Sequence, residues 1–264
     1  MNKLLPLLQA SLCCFLLSVV FSVSADDDEK LFDAYKKVAD PVNYIAAQFA
    51  TAKEQNKRVM FVLGGNWCHD SKNMIKKLED ESLKSIIEDN YLVSTIDVGY
   101  LDQGFSFAEL ANMKTFYATP TVLIFSADKR LINGNDLHKW GNAYSISQEE
   151  AVKYFSHYIE HEDMPADYHK FSDVQKSKWD ELNLFISQQE SLIKSSYSII
   201  GPMLEEVDQK KDVKEFDDYW KALAHIRFTL PKDIKRIKEA ILKGDETELA
   251  ELKMPAYPSL PWQK

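Results

Sequence analysis

The chain has 264 residues, 45% of them hydrophobic and 28% charged, enough to bury one or two proper cores and unlike a disordered segment. A formal net charge of −9 disfavours nucleic acid and anionic membrane surfaces as partners.

The start of the chain, MNKLLPLLQASLCCFLLSVVFSVSA, has a lone Lys3, an apolar centre and Val23-Ser24-Ala25, small residues at the spacing a signal peptidase accepts. We read residues 1–25 as a cleaved signal peptide, with a periplasmic or otherwise exported product and no membrane anchor left after cleavage. An uncleaved anchor would find nearly enough length in Leu4 to Val23, but Pro6, Gln9 and the cleavage-like ending weigh against it. Cleavage removes Lys3, taking the charge from −9 to −10, and removes Cys13 and Cys14. Cys68 is then the sole cysteine, and an unpaired cysteine in an oxidising compartment is either buried and inert or a reactive thiol.

In the processed chain, Lys30 to Asn56 reads as two helices broken at Asp40-Pro41, from apolar residues recurring every three or four positions: Leu31, Ala34, Tyr35 and Val38, then Val42, Ile45, Ala46 and Phe49. Val59 to Leu63 is a strand buried on both faces. Cys68 to about Asp89 carries a helical stripe of Met74, Ile75, Leu78, Leu83, Ile86 and Ile87, and Tyr91 to Val98 is a second strand. The pattern predicts a helix over Phe105 to Tyr117, a strand over Thr121 to Phe125, and a turn with a short return strand over Asp128 to Asn133. Ser147-Gln148-Glu149-Glu150 opens a further helix with a good cap and an acidic first turn. Strands alternating with helices imply an α/β layered domain over residues 26–162.

Between the first strand and its helix lies Gly64-Gly65-Asn66-Trp67-Cys68-His69-Asp70-Ser71. A cysteine at a helix start meets unpaired backbone N–H groups and the positive end of the helix dipole, which favour the thiolate. The element order, Trp67-Cys68-x-x-Ser71, Thr119-Pro120-Thr121 and Gly141 together resemble the thioredoxin superfamily over about Asp40 to His161. The WCHDS motif is similar to a group of exported bacterial thioredoxin-like proteins with a monothiol site.

The resemblance implies a three-layer domain, a central mixed sheet flanked by helices. It also implies that Pro120 is cis and packs opposite Cys68, freeing the backbone of Thr119 to bind a substrate peptide. Two departures matter. Ser71 stands where the second, resolving thiol would be, and Val62 stands where thioredoxins proper bury an acidic residue that serves in proton transfer. Chemistry that needs one thiolate survives: Cys68 attacks a mixed or protein disulfide, or is itself capped by glutathione or oxidised, and an external thiol resolves the adduct.

The candidate catalytic set is Cys68, Ser71 and His69, with the Ser71 hydroxyl donating to the thiolate and a protonated His69 stabilising it. Trp67, Asp70, Thr119 and Pro120 are the candidate substrate-binding residues. Five of the seven have a plainer reading: Cys68 as a small buried hydrophobe, Ser71 and Asp70 as first-turn helix residues, Trp67 as a structural lid beside the sulfur, and Pro120 as a trans proline opening a strand. No cofactor is implied beyond glutathione as a co-substrate, and the partners are protein or low-molecular-weight thiols. His157 and His161 share a helix face four apart, but no third ligand at a fixed spacing supports a metal.

Residues 163–264 lose the strand signal. Trp179, Leu182, Ile186, Ile193 and Tyr197 run at helical spacing to a break at Gly201-Pro202; Phe216, Tyr219, Leu223 and Ile226 run to Pro231; Ile234, Ile237 and Ile241 run to Gly244. This is an all-α region of three or four helices, ending in a non-helical stretch with Pro255, Pro258 and Pro261. One expectation is that it packs on the layered domain and borders the Cys68 groove. Two functions follow: a monothiol thiol-disulfide exchange protein, or a non-catalytic peptide-binding or chaperone-like module in which Cys68 is incidental.

Overall fold

A computed structural model describes residues 34–263. The expected signal peptide and the start of the first expected helix lie outside the described residues.

The sheet is built on β1 (Arg58–Gly64), whose apolar run lies between two neighbours and is buried on both faces. β2 (Tyr91–Asp97) pairs with it in parallel, Arg58 opposite Tyr91, and β3 (Thr121–Phe125) pairs antiparallel, Val59 opposite Phe125, giving the order β2-β1-β3. α1 (Pro41–Glu54) starts with Pro41 behind an Asp40 cap, and Asn56 in the left-handed region stops it. The stripe after Cys68 divides at Asp80 into α2 (His69–Glu79) and α3 (Glu81–Asn90), because Asp80 is extended and its carboxylate caps the Ser82 amide. α5 (Gln148–Glu160) opens with a full Ser147/Glu150 capping box and closes the layered domain.

Four expectations are corrected. From residue 34 to Asp40 the chain is not a helix: Lys36 bridges Ile96 in parallel and extends the sheet beyond β2, while Tyr35 is buried. The hydrogen bonds Lys36 N to Thr95 O and Asp97 N to Lys36 O outweigh a local helical period. The helix expected over Phe105–Tyr117 ends at Leu110, as α4 (Phe105–Leu110). Asn112 takes positive φ and the Met113 amide reaches back to the Ala108 carbonyl, a left-handed stop that leaves 113–120 irregular. The return strand after β3 shrinks to one bridge, Leu131 to Phe125, supplemented by the Asn133 side chain accepting from the Ile124 amide.

The fourth correction concerns the prolines. α6 (Asp173–Asp208) continues through Pro202, and α7 (Phe216–Lys243) through Pro231. A proline inside a helix costs about 3 kcal/mol, but the buried stripes run unbroken across both: Ile193, Tyr197, Ile200 and Leu204, then Leu223, Ile226, Leu230, Ile234, Ile237 and Ile241. Gly201 also lets the Tyr100 carbonyl lie against the helix where a Cβ would collide. Gly244, at positive φ, ends α7, and α8 (Glu246–Glu251) follows, so the described residues of the region form three α-helices, with short 3₁₀ turns at Tyr168–Lys170 and Pro261–Gln263.

Two apolar clusters result. Met60, Val62, Val122 and Ile124 face α2, α3 and α5. Val59, Phe61, Leu63, Leu123 and Phe125 join a cluster that runs through α1 and α4 into α6 and α7.

Candidate functional site

β1 ends in Gly64-Gly65, and Gly64 is required: a Cβ there would run into the Tyr35 ring and come within 2.7 Å of Ser71 Oγ. The turn that follows closes with the Cys68 amide donating to the Gly65 carbonyl at 2.9 Å. Asn66 fixes it from outside, its side chain exchanging 3.0 Å bonds with the backbone N–H and C=O of Tyr35. Cys68 is thereby the N-cap of α2, half-buried, with its carbonyl already accepting from Lys72 in the helix. Its sulfur sits at the positive end of that helix.

Facing it is the irregular segment before β3, where the Thr119-Pro120 bond is cis. Thr119 meets the sulfur twice. Its carbonyl accepts from the thiol at 3.2 Å, and its hydroxyl donates to Sγ at 3.3 Å. The carbonyl serves the protonated sulfur and the hydroxyl serves the thiolate, so this residue can follow both states of the reaction.

The other named residues are arranged differently from the expectation. Ser71 is fully buried, and its hydroxyl accepts from the Gly65 amide at 3.2 Å, so it holds the turn while Thr119 takes the sulfur. His69 is exposed; its Nε2 lies 3.2 Å from the Asn73 amide nitrogen, and its ring lies 4.8 Å from that of Tyr144. Asp70 accepts from the Tyr144 amide at 2.8 Å, joining α2 to the turn of 3₁₀ helix at Lys139–Ser145. Trp67 donates its indole N–H to Gly99 O at 2.8 Å and stacks its ring on Tyr100. His157 and His161 stack on each other at 4.4 Å, both exposed.

Several residues at the site were not foreseen. Tyr35 lies under it, its hydroxyl donating to the Ser71 carbonyl at 2.9 Å, and burial pushes that phenol well above its ordinary pKa. Hydrogen bonding to Asp208 pushes Tyr100 up to about 12. The helical region also reaches the site: Trp220 packs edge-on to Trp67 at 6.3 Å, and the half-exposed Phe228 ring lies over Gly141, where a Cβ would come within 2.8 Å of it and 2.7 Å of Ala118. Helix α7 therefore borders the surroundings of Cys68. Of these residues only Gly141 carried a site signal in the sequence; Tyr35 was read into a helix, and Trp220 and Phe228 lie outside the stripe of Phe216, Tyr219, Leu223 and Ile226, since their contacts depend on which surfaces meet.

A thioredoxin-like family model matches residues 40–127, one third of the chain and the part that holds β1, Cys68 and Pro120. The layered domain is thioredoxin-like. A solved structure, a disulphide isomerase from Xylella fastidiosa Temecula1, is similar at 23% identity with a TM-score of 0.43, over 48% of this chain and 96% of that one. Comparison with curated proteins gave no match.

Proposed function

We propose that this protein is an exported monothiol thiol-disulfide exchange protein whose nucleophile is Cys68. The observation that carries the reading is the half-buried sulfur at the start of α2, held between the carbonyl and the hydroxyl of Thr119. The leader-like residues 1–25 support export to the periplasm.

The reaction runs in two steps. The Cys68 thiolate attacks one sulfur of a disulfide R–S–S–R′, forming Cys68–S–S–R and expelling R′–S⁻. An external thiolate, of glutathione or a protein cysteine, then attacks the R sulfur and expels the Cys68 thiolate. Each step breaks one S–S bond and makes another, so the electrons balance without a second cysteine. The Thr119 hydroxyl stabilises the sulfur as nucleophile and again as leaving group. Ser71, fixed on the Gly65 amide, keeps the turn in place.

The test is incubation of the full chain with oxidised glutathione across pH, with peptide mapping by mass spectrometry. A single glutathione adduct on Cys68, reversed by added thiol and lost in Cys68→Ser, is the expected result. A Cys68 that reacts only after unfolding would end the reading. Peptide binding that persists unchanged in Cys68→Ser, with no adduct in the parent, would mark a binding module instead.

A further inference from the structure

The segment 114–118 is buried yet neither helix nor strand, except for the exposed Lys114, so its backbone groups must find partners elsewhere. Four of its hydrogen bonds come from three side chains of the helical region. Glu190 on α6 accepts from the Lys114 amide at 2.9 Å and from the Tyr117 hydroxyl at 2.6 Å. Tyr197 donates its hydroxyl to the Phe116 carbonyl at 2.8 Å. Arg227 on α7 donates its Nε–H to the Tyr117 carbonyl at 2.7 Å. On the far side, Thr121 holds Ala118 through its hydroxyl. Thr119, which touches the sulfur, hangs between these anchors.

Arg227 is the informative member. It is buried, and among the described residues no carboxylate pairs with it. Its guanidinium lies 5.3 Å from the ring centroids of both Tyr197 and Trp220. Burying a charge is costly unless its bonds are well used, and this one is spent on the Tyr117 carbonyl, two residues before Thr119, and on the Tyr197 hydroxyl. Trp220 in turn packs on Trp67, the neighbour of Cys68.

We propose that Arg227 is a positioning residue: from the helical region, with Tyr197 beside it, it sets the Thr119 hydroxyl against Sγ and so tunes the Cys68 thiolate. The helical region is on this view part of the thiol apparatus. The inference rests on the thiol reading above, but its test does not require exchange to occur.

The experiment is the rate of Cys68 alkylation by iodoacetamide against pH, in the full chain, for Arg227→Met, Tyr197→Phe and the control Ile237→Ala, which loosens α7 through packing alone. Losing one hydrogen bond to an ionised sulfur is expected to slow alkylation at neutral pH about tenfold in Arg227→Met. A smaller fall is expected in Tyr197→Phe and none in the control. Exchange with oxidised glutathione at neutral pH should fall about tenfold with the loss of thiolate. If folded Arg227→Met and Tyr197→Phe both keep the parent profile, the proposal is wrong. If Arg227→Met does not fold, Tyr197→Phe decides alone. A control that shifts as far as the variants also overturns it. Shifted profiles in a protein that never exchanges with oxidised glutathione would sink the exchange reading and leave the positioning role standing.

Discussion

The two faces of the sheet are closed in different ways. Met60, Val62, Val122 and Ile124 pack against α2, α3 and α5, all within the layered domain. Phe61, Leu63, Leu123 and Phe125 belong to a cluster that extends through Phe107 and Phe116 to Tyr197, Leu223 and Leu230. One face could be buried by the domain alone. The other shares its core with the helices, and there the chain leaves the cis-proline segment irregular. The contrast explains why α6 and α7 supply backbone partners to 114–117: they lie on the face where the domain does not complete itself.

The strongest test of this contrast is core truncation. Phe61→Ala, on the shared face, and Trp140→Ala, on the closed one, should each cost about 3–5 kcal/mol. In urea unfolding, Phe61→Ala should lower the midpoint seen by helical circular dichroism together with that of the sheet. A helical signal that keeps its parent midpoint in Phe61→Ala would show that the core is not shared.

Next in size is Glu190→Ala, which leaves the Lys114 amide and the Tyr117 hydroxyl without an acceptor, at about 1–3 kcal/mol for each. Its effect on Cys68 reactivity should exceed that of a cavity of similar cost elsewhere, such as Ile237→Ala.

The two regions should also respond to acid with opposite sign. Burial raises the pKa of Glu190, so its folded form binds a proton more readily than the unfolded chain. Its contribution is therefore fully present below the ordinary carboxylate pKa and is lost as pH rises through the raised one. Glu162, held by Arg58 at 2.6 Å and by Arg130, has its pKa lowered. Its contribution is present above the ordinary value and is lost as pH falls through the lowered one. Stability measured by urea from strongly acidic to neutral pH should show the first slope above the ordinary carboxylate pKa, lost in Glu190→Gln, and the second below it, lost in Glu162→Gln. The same sign in both would refute the assignment.

Smallest are the helix caps. Ser147→Ala at α5 and Ser172→Ala at α6 each remove a capping-box hydroxyl, at about 1 kcal/mol. They share no hydrogen-bond partner, so the double variant should equal the sum of the two within about 0.5 kcal/mol. A larger deviation would mean that the regions are coupled beyond their common core.

How much could be read in advance follows the same division. β1, the Gly-Gly turn, the cysteine at the start of α2 and the Ser147 cap are local features, and all lie where the residues indicated. The Asn112 stop after α4 was legible too, since asparagine tolerates the left-handed conformation, but the apolar period from Phe105 onward concealed it. Tyr35 could not be placed, because its helical spacing is real and only the edge of β2, by pairing with its neighbour Lys36, fixes where it lies. Pro202 and Pro231 misled for a related reason: a local penalty of about 3 kcal/mol loses to a stripe of buried side chains on both sides of the break.

Local chemistry alone thus named the thiol and withheld its partner: Cys68 follows from a strand, a tight turn and a helix start, and Ser71 and Val62 are plain in the chain. Which group answers the sulfur was decided in three dimensions. Ser71 lies a turn away on the same helix but is held by the Gly65 amide, whereas Thr119, 51 positions on, is delivered to Sγ by β3 on one side and by Arg227, 108 positions beyond it, on the other. Hydrogen bonds between such distant residues depend on which surfaces pack together, and no short-range pattern records that.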